Sequence, residues 1–412
     1  MKITFLKARQ IFDSRGNPTI ETDLILDDQY FGRASIPSGA SKGKFEALEL
    51  RDNTKDYCGK SVFKAIDIIN NTLSSKLFDL NITSQKDLDS FLIEIDGTNN
   101  KSNLGANTIL SISLAFAKAQ ACLMNKQLFQ SWQNKNDIFM PYPMLNIING
   151  GIHADNQLDI QEFMIVPTKY ETITHNLKIA YEVYQNLKKI LISKNYTINT
   201  GDEGGFAPNI NSSDHALDLI IEAIEKSGYI PGKDVSLALD VAANELYSQK
   251  KYNLREKNGS VSPIELVDFY KNLCSKYPII SIEDPFDEED TEHWKILTKE
   301  LGDKISVVGD DLFVTNPEKL KNGIAEKLAN SILIKMNQIG TLTETFESIE
   351  IAKKNNFTTI ISHRSGETED TSISHLAVAT QSKFIKAGAI ARTDRVCKYN
   401  ELIRIEELLH NN

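Results

Sequence analysis

The sequence predicts an α/β protein, with a small N-terminal α+β domain followed by an eight-stranded closed barrel. Three observations lead there. From about residue 235 onward, short apolar runs alternate with helical patterns six times. Two strand-like runs and then two helical stretches precede them, which brings the strand number to eight. Before all of these, the first 130 or so residues read differently, with strands first and helices after. The segment NDIFMPYP, with its two prolines, divides the two patterns. The division predicts domains over 1–136 and 137–412.

In the first domain, ITFLKARQIF, TIETDLIL and YFGRASI read as strands separated by the turn signals GNP and DDQ. Helical periodicity follows near 60–76, 85–95 and 105–125. The second domain opens with LNIIN and QEFMIV as strands, then helices over 171–194 and 214–227, separated by the loop GDEGGFAPN. Next come VSLALD, helix 262–276, IISIED, helix 290–300, ISVVGDD, helix 316–329, SILIK, helix 341–355, TTIISH, helix 370–380, KFIK and helix 394–409. There is no sequence repeat, low-complexity tract or long linker.

Bulk properties narrow the function. The 412 residues are 41% hydrophobic and 25% charged, an ordinary globular composition, with a formal net charge of -10. No Lys/Arg run forms a basic patch, which argues against a general nucleic-acid partner. Cys58, Cys122, Cys274 and Cys397 form no C-x-x-C pair, and read as free, buried thiols in a reducing compartment. The N-terminal apolar run is too short for a signal peptide, and no run of about 18 apolar residues predicts a membrane span. A cytoplasmic location is expected.

The ends of the last six strands carry the chemistry. They are Asp240, Glu283, Asp310, Lys335, His363 and Lys386, all ionisable. Any one could be a helix cap or a solvated turn. Six in succession at the C-terminal mouth of a barrel, where active sites of this fold lie, argue for a site. Asp240, Glu283 and Asp310 suit a hard, oxygen-liganded cation, with magnesium the natural candidate. No HExxH or cysteine pair points to zinc. Lys335 ends the apolar strand of ILIKMNQIG. A neighbouring cation would lower its pKa and favour a neutral amine, a competent general base. Glu203, between the glycines of GDEGGFAP, could donate a proton to a leaving group, or sit in a plain turn. His363, Arg364 and Ser365 follow one strand; the last two suit a phosphate or carboxylate, and a solvated loop is the alternative.

Taken together, SGAS (38–41), GGIHADN (150–156), QEFMIVP (161–167), GDEGGFAPN (201–209), SIEDPF (281–286), GDDLFVTNP (309–317), LIKMNQIGT (333–341) and SHRSGETED (362–370) resemble the enolase family, in order and along nearly the whole chain. The resemblance implies a ββαα(βα)6 barrel and the reversible dehydration of 2-phospho-D-glycerate to phosphoenolpyruvate. It implies Lys335 as the base at C2 and Glu203 as the acid at the 3-hydroxyl. Asp240, Glu283 and Asp310 would hold one Mg2+, and Ser41 would help hold a second once substrate binds. Arg364 and Ser365 would bind phosphate and Lys386 the carboxylate, with Gln161, Glu162, His153 and His363 lining the pocket. A homodimer or a multiple of dimers is also implied. Some enolase-like proteins occur outside the cell and capture plasminogen, so a secondary surface role is carried as an expectation. Lys42 and His375 depart from the family pattern, where threonine and aspartate are usual. Another reaction on a carboxylate substrate is the competing reading, against which the loops GDEGG and HRSGETED speak.

Overall fold

The computed structural model describes residues 1–39, 43–133 and 138–410. Three antiparallel strands, β1 (Ile3–Phe12), β2 (Pro18–Leu26) and β3 (Tyr30–Ser35), open the chain. The helix Ala106–Leu123 lies across β2 and β3, and most of its residues are buried. Its approach is close. A Cβ on Gly32 would meet the Ala115 carbonyl oxygen at 2.0 Å, so only glycine fits under the helix there. The helix expected over 60–76 starts at Phe63, where Asp52 accepts from the Phe63 and Lys64 amides at 2.8 and 2.9 Å. That cap comes from eleven residues upstream, beyond any local signal.

The second unit is a closed barrel. Its strands are β4 (Tyr142–Asn149), β5 (Glu162–Pro167), β6 (Val235–Asp240), then, after a small meander, β10 (Ile279–Glu283), β11 (Ser306–Gly309), β12 (Ser331–Ile334), β13 (Thr358–Ser362) and β14 (Phe384–Lys386). β14 closes onto β4 in parallel. β5 alone runs antiparallel to both neighbours, β4 and β6. Helices Ile173–Ser193 and Ser213–Lys226 follow β5, which gives the expected irregular opening. Met144, Met164, Val166, Ala238, Val308, Leu333, Ile360 and Phe384 fill the barrel interior.

One element is additional to the sequence reading. Between β6 and β10 the chain makes a three-stranded meander, β7 (Tyr247–Ser248), β8 (Lys251–Leu254) and β9 (Gly259–Val261). Gln249 and Lys250 both take positive φ in the first turn. Two-residue hairpins of that shape usually use Asn or Gly, so Gln-Lys gives no turn signal. The cysteines are free as expected, but burial is corrected: Cys58 and Cys122 are exposed, while Cys274 and Cys397 are half-buried.

Candidate active site

The strand ends converge as expected. Asp240 and Glu283 sit side by side in the β6–β10 register, and Lys386 ends β14 beside Ser362 of β13. The reversed strand adds what parallel strands could not. Because β5 runs the other way, its first residue, Glu162, pairs with Asp240 and Asn149 at the same mouth. Gln161 and Glu162 thus reach the site from the beginning of a strand.

These side chains are buried and charged. Lys386 Nζ lies 3.1 Å from Glu162, 2.8 Å from Asp240 and 2.9 Å from Glu283. Burial lowers the Lys386 pKa, but Asp240, Glu162 and Glu283 outweigh it and hold the ammonium well above its usual range. Glu162 and Glu283 are both pushed well up, by burial and by neighbouring carboxylates. An added cation would favour their ionised forms.

Lys335 follows the fully buried β12, and its amide donates to Thr315 Oγ1 at 2.9 Å. Its ammonium is ion-paired to Asp310. The sequence reading made a lowered pKa depend on a neighbouring cation; the protein's own groups act the other way. Burial does favour the neutral amine, but the Asp310 carboxylate overrides it and raises the pKa above that of free lysine. Asp310 and Glu283 hold the proton on Lys335 against Arg364 and Lys386, and added positive charge would shift that balance toward the neutral amine.

Glu203 sits at the tip of a loop closed by Gly201 N donating to Gly205 O at 2.9 Å. Gly204 turns the chain with φ +88, a conformation that favours glycine. Asn146 Nδ2 donates to Glu203 Oε2 at 3.0 Å, His363 Nε2 is 3.4 Å from the same oxygen, and His153 Nδ1 is 3.9 Å from Oε1. Burial drives the Glu203 pKa up, yet His363, His153 and Arg395 pull it well below the usual range. The resting site thus holds Glu203 as a carboxylate.

Arg364 donates Nη1 to Glu46 Oε2 and Nη2 to Glu46 Oε1, both at 3.0 Å. Ser365 and Gly39 line the same cavity. Ser38 and Gly366 exchange two backbone hydrogen bonds, at 2.7 and 2.8 Å, which seat the first domain on the barrel mouth. Ser41 and Lys42 lie outside the described residues. His375 is away from the site. It stacks on Phe129 and lies 3.2 Å from Glu401.

The donor set fits a hard divalent cation. Glu162, Asp240, Glu283 and Asp310 are buried oxygen donors, and Gln161 Oε1 is buried with no hydrogen-bond partner among the described residues. A second oxygen cluster, Asp284, Asp310 and Asp311, has ligand atoms within 4.8 Å of one another. Asp284 is fixed by the amides of Asp310 and Asp311 at 2.8 and 2.9 Å. Burial and Asp310 push Asp311 up to about 8. The free volume inside is about 30 Å³, and an adjoining cleft of about 510 Å³ shares Gln161 and Ala242 with it.

The sequence reading missed Glu46, Asn146, Asp284, Asp311, Gln338 and Arg395. Asp284 and Asp311 had a signal, each adjoining a carboxylate already chosen. The others come from a distant loop (Glu46), from β4 (Asn146) or from helices (Gln338 and Arg395), and only the fold brings them near.

Comparison with known proteins gives the family. Residues 3–131 match the family model described as the enolase N-terminal domain, and residues 137–412 match the enolase C-terminal TIM barrel domain. The chain is 54% identical over 413 aligned positions to an enolase of Ehrlichia ruminantium (strain Welgevonden), covering 100% of this chain and 98% of that one. An enolase of strain Gardel gives the same identity and coverage. An enolase of Ehrlichia canis (strain Jake) is 53% identical over 408 positions, covering 99% and 96%.

Proposed function

This chain belongs to the enolase family, and on that premise we propose how its own residues carry the family's reaction. The protein is a lyase that reversibly dehydrates 2-phospho-D-glycerate to phosphoenolpyruvate, with a magnesium requirement.

In the proposed assignment, Lys335 takes the C2 proton and Glu203 protonates the departing 3-hydroxyl. The C2 proton is weakly acidic because its removal adds charge to an existing carboxylate. Bound Mg2+ supplies positive charge to that carboxylate, which stabilises the developing anion; a lysine base with one or two magnesium ions is the pairing generally described for sites of this superfamily. Asp240, Glu283 and Asp310 would hold the first ion, with Ser41 contributing to a second when substrate binds. The cluster of buried carboxylates and the orphaned Gln161 oxygen support a cation there. Lys386 would bind the substrate carboxylate. Arg364 and Ser365 would bind phosphate, sharing the fork that Glu46 holds at rest. His153, Glu162, Gln161 and His363 would line the reacting end, and Glu203 would acquire its proton with substrate in place.

The observation that carries this reading is that Lys335 and Glu203 line one cavity together with the carboxylates Glu162, Asp240 and Asp310. Phosphoenolpyruvate formation, followed by its ultraviolet absorbance with and without magnesium, tests it. No magnesium-dependent turnover of 2-phosphoglycerate would sink it. Several finer points are also proposed. The domains divide at 136/137, between the segments matched by the two family models. The protein works as a homodimer or a multiple of dimers in the cytoplasm, and plasminogen capture would be a secondary surface role. No helix among the described residues is long and apolar enough to cross a membrane.

A further inference from the structure

We propose that Arg395 is a positioning residue for this reaction: it fixes His363 as the tautomer protonated at Nε2, facing Glu203, and ties the Glu203 loop to the loop of Arg364 and Ser365. Arg395 projects from the C-terminal helix Thr393–His410 and is fully buried. One guanidinium reaches four acceptors on two loops. Nη1 donates to His363 Nδ1 at 2.6 Å and to the Arg364 carbonyl at 2.5 Å. Nη2 donates to the Ser365 carbonyl at 2.5 Å and to the Asp202 carbonyl at 3.2 Å.

The tautomer follows from donor chemistry. Arginine has only donors and keeps its charge in proteins. His363 Nδ1 must therefore be an unprotonated acceptor, and the single proton of a neutral ring lies on Nε2. Nε2 is 3.4 Å from Glu203 Oε2 and makes no hydrogen bond among the described residues, so a proton there has that carboxylate as its nearest charged neighbour and is not one an imidazolium would give up. Burial depresses the imidazole to about 4, with Glu203 opposing and Arg395 assisting. The charged groups facing the ring are Glu203, Arg395 and Glu367.

The loop tie follows from geometry. Asp202 adjoins Glu203, while residues 364 and 365 are the expected phosphate contacts. Their carbonyls would otherwise be buried on a turn without a donor from this helix. Lysine could not reproduce this, since a point ammonium cannot span four acceptors as a planar fork does. Gly388 fits the arrangement, because a Cβ there would lie 3.0 Å from Arg395 Cδ.

The activity arm of the test rests on the proposed function; the spectroscopic arm does not. Histidine-selective 15N labelling of the magnesium-loaded protein, with His363→Gln to assign the signal, reads the tautomer directly. The expected result is an unprotonated Nδ1 and a protonated Nε2 throughout about pH 5 to 8, where an ordinary histidine titrates. A proton on Nδ1, or ordinary titration, would overturn the proposal, and neither needs an Arg395 variant to fold. Arg395→Lys should then mix the tautomers and lower kcat/KM about 10- to 100-fold, the range carried by partners that orient functional histidines. A lower Tm with the His363 signals unchanged would reduce Arg395 to a structural residue. A parent protein inactive on 2-phosphoglycerate would count against the enolase reading, while the spectrum would still decide the tautomer.

Discussion

Replacing Glu46 with glutamine removes a charge from the most enclosed interdomain ion pair at the site. The Glu46 carboxylate meets both ends of the Arg364 fork at 3.0 Å, and Oε1 also accepts from Gln338 Nε2 and the Gly43 amide at 3.3 Å. The two side chains are only 9% and 4% exposed, so water offers little compensation. Removing one partner of such a pair costs about 3–5 kcal/mol. Glutamine keeps one acceptor, and Asp310 and Asp311 still attract Arg364, which puts the loss at the lower end, about 3 kcal/mol. At about 2.1 cal/mol/K per residue, 412 residues unfolding together have an entropy of about 0.87 kcal/mol/K, so Tm should fall by about 3.5 °C. A second effect follows from the chemistry. Carboxylate and phosphate compete for the same guanidinium fork. Inorganic phosphate should therefore raise the Tm of Glu46→Gln more than that of the parent. Scanning calorimetry with and without phosphate reads both. A Tm within about 1 °C of the parent, or equal phosphate shifts, would refute the reasoning.

Chelation should abolish turnover and magnesium should restore it; Asp240→Asn should raise the magnesium needed for half-maximal rate, and an unchanged requirement would remove Asp240 from the proposed ligands. Lys335→Ala should lose exchange of the C2 proton with deuterium oxide, whereas Glu203→Gln should keep exchange and lose dehydration. Each loss should reach about 10²–10⁴-fold, and wild-type exchange in Lys335→Ala would assign the base elsewhere. Asp23 offers a pH test away from the site. Burial raises its pKa, but Arg33 and Arg9 bring it down to about 2. Its stabilisation is complete above about 3.8 and is lost as pH falls toward 2. The Tm difference between parent and Asp23→Asn should therefore narrow over that window, and a constant difference would contradict the pairing.

The barrel was legible because its strands are short, apolar and punctuated, and because function marks their ends. Asp240, Glu283, Asp310, Lys335, His363 and Lys386 could be chosen from position alone, since parallel strands deliver their C-terminal ends to one rim. A cation for the three carboxylates and a base role for Lys335 were readable from residue chemistry; the roles toward a particular substrate, and the place of Gln161 and Glu162, came only from the family resemblance. The meander over 247–261 was not legible, because its turn lacks the residues that announce positive φ.

What the sequence determined by itself was the order of elements and the residue types brought to the mouth. Both are local properties, set by hydrophobic period and by the polar residue that ends each run. What only the tertiary structure decided was charge balance and partnership. The antiparallel β5 turns Glu162 toward Asp240. The fold pairs Lys335 with Asp310 and leaves it an ammonium. Glu46 and Arg364 are far apart in sequence, as are Arg395 and His363, yet each pair meets in a buried space. A pKa or a tautomer depends on every charge within a few ångströms, and that neighbourhood exists only once distant segments have packed together.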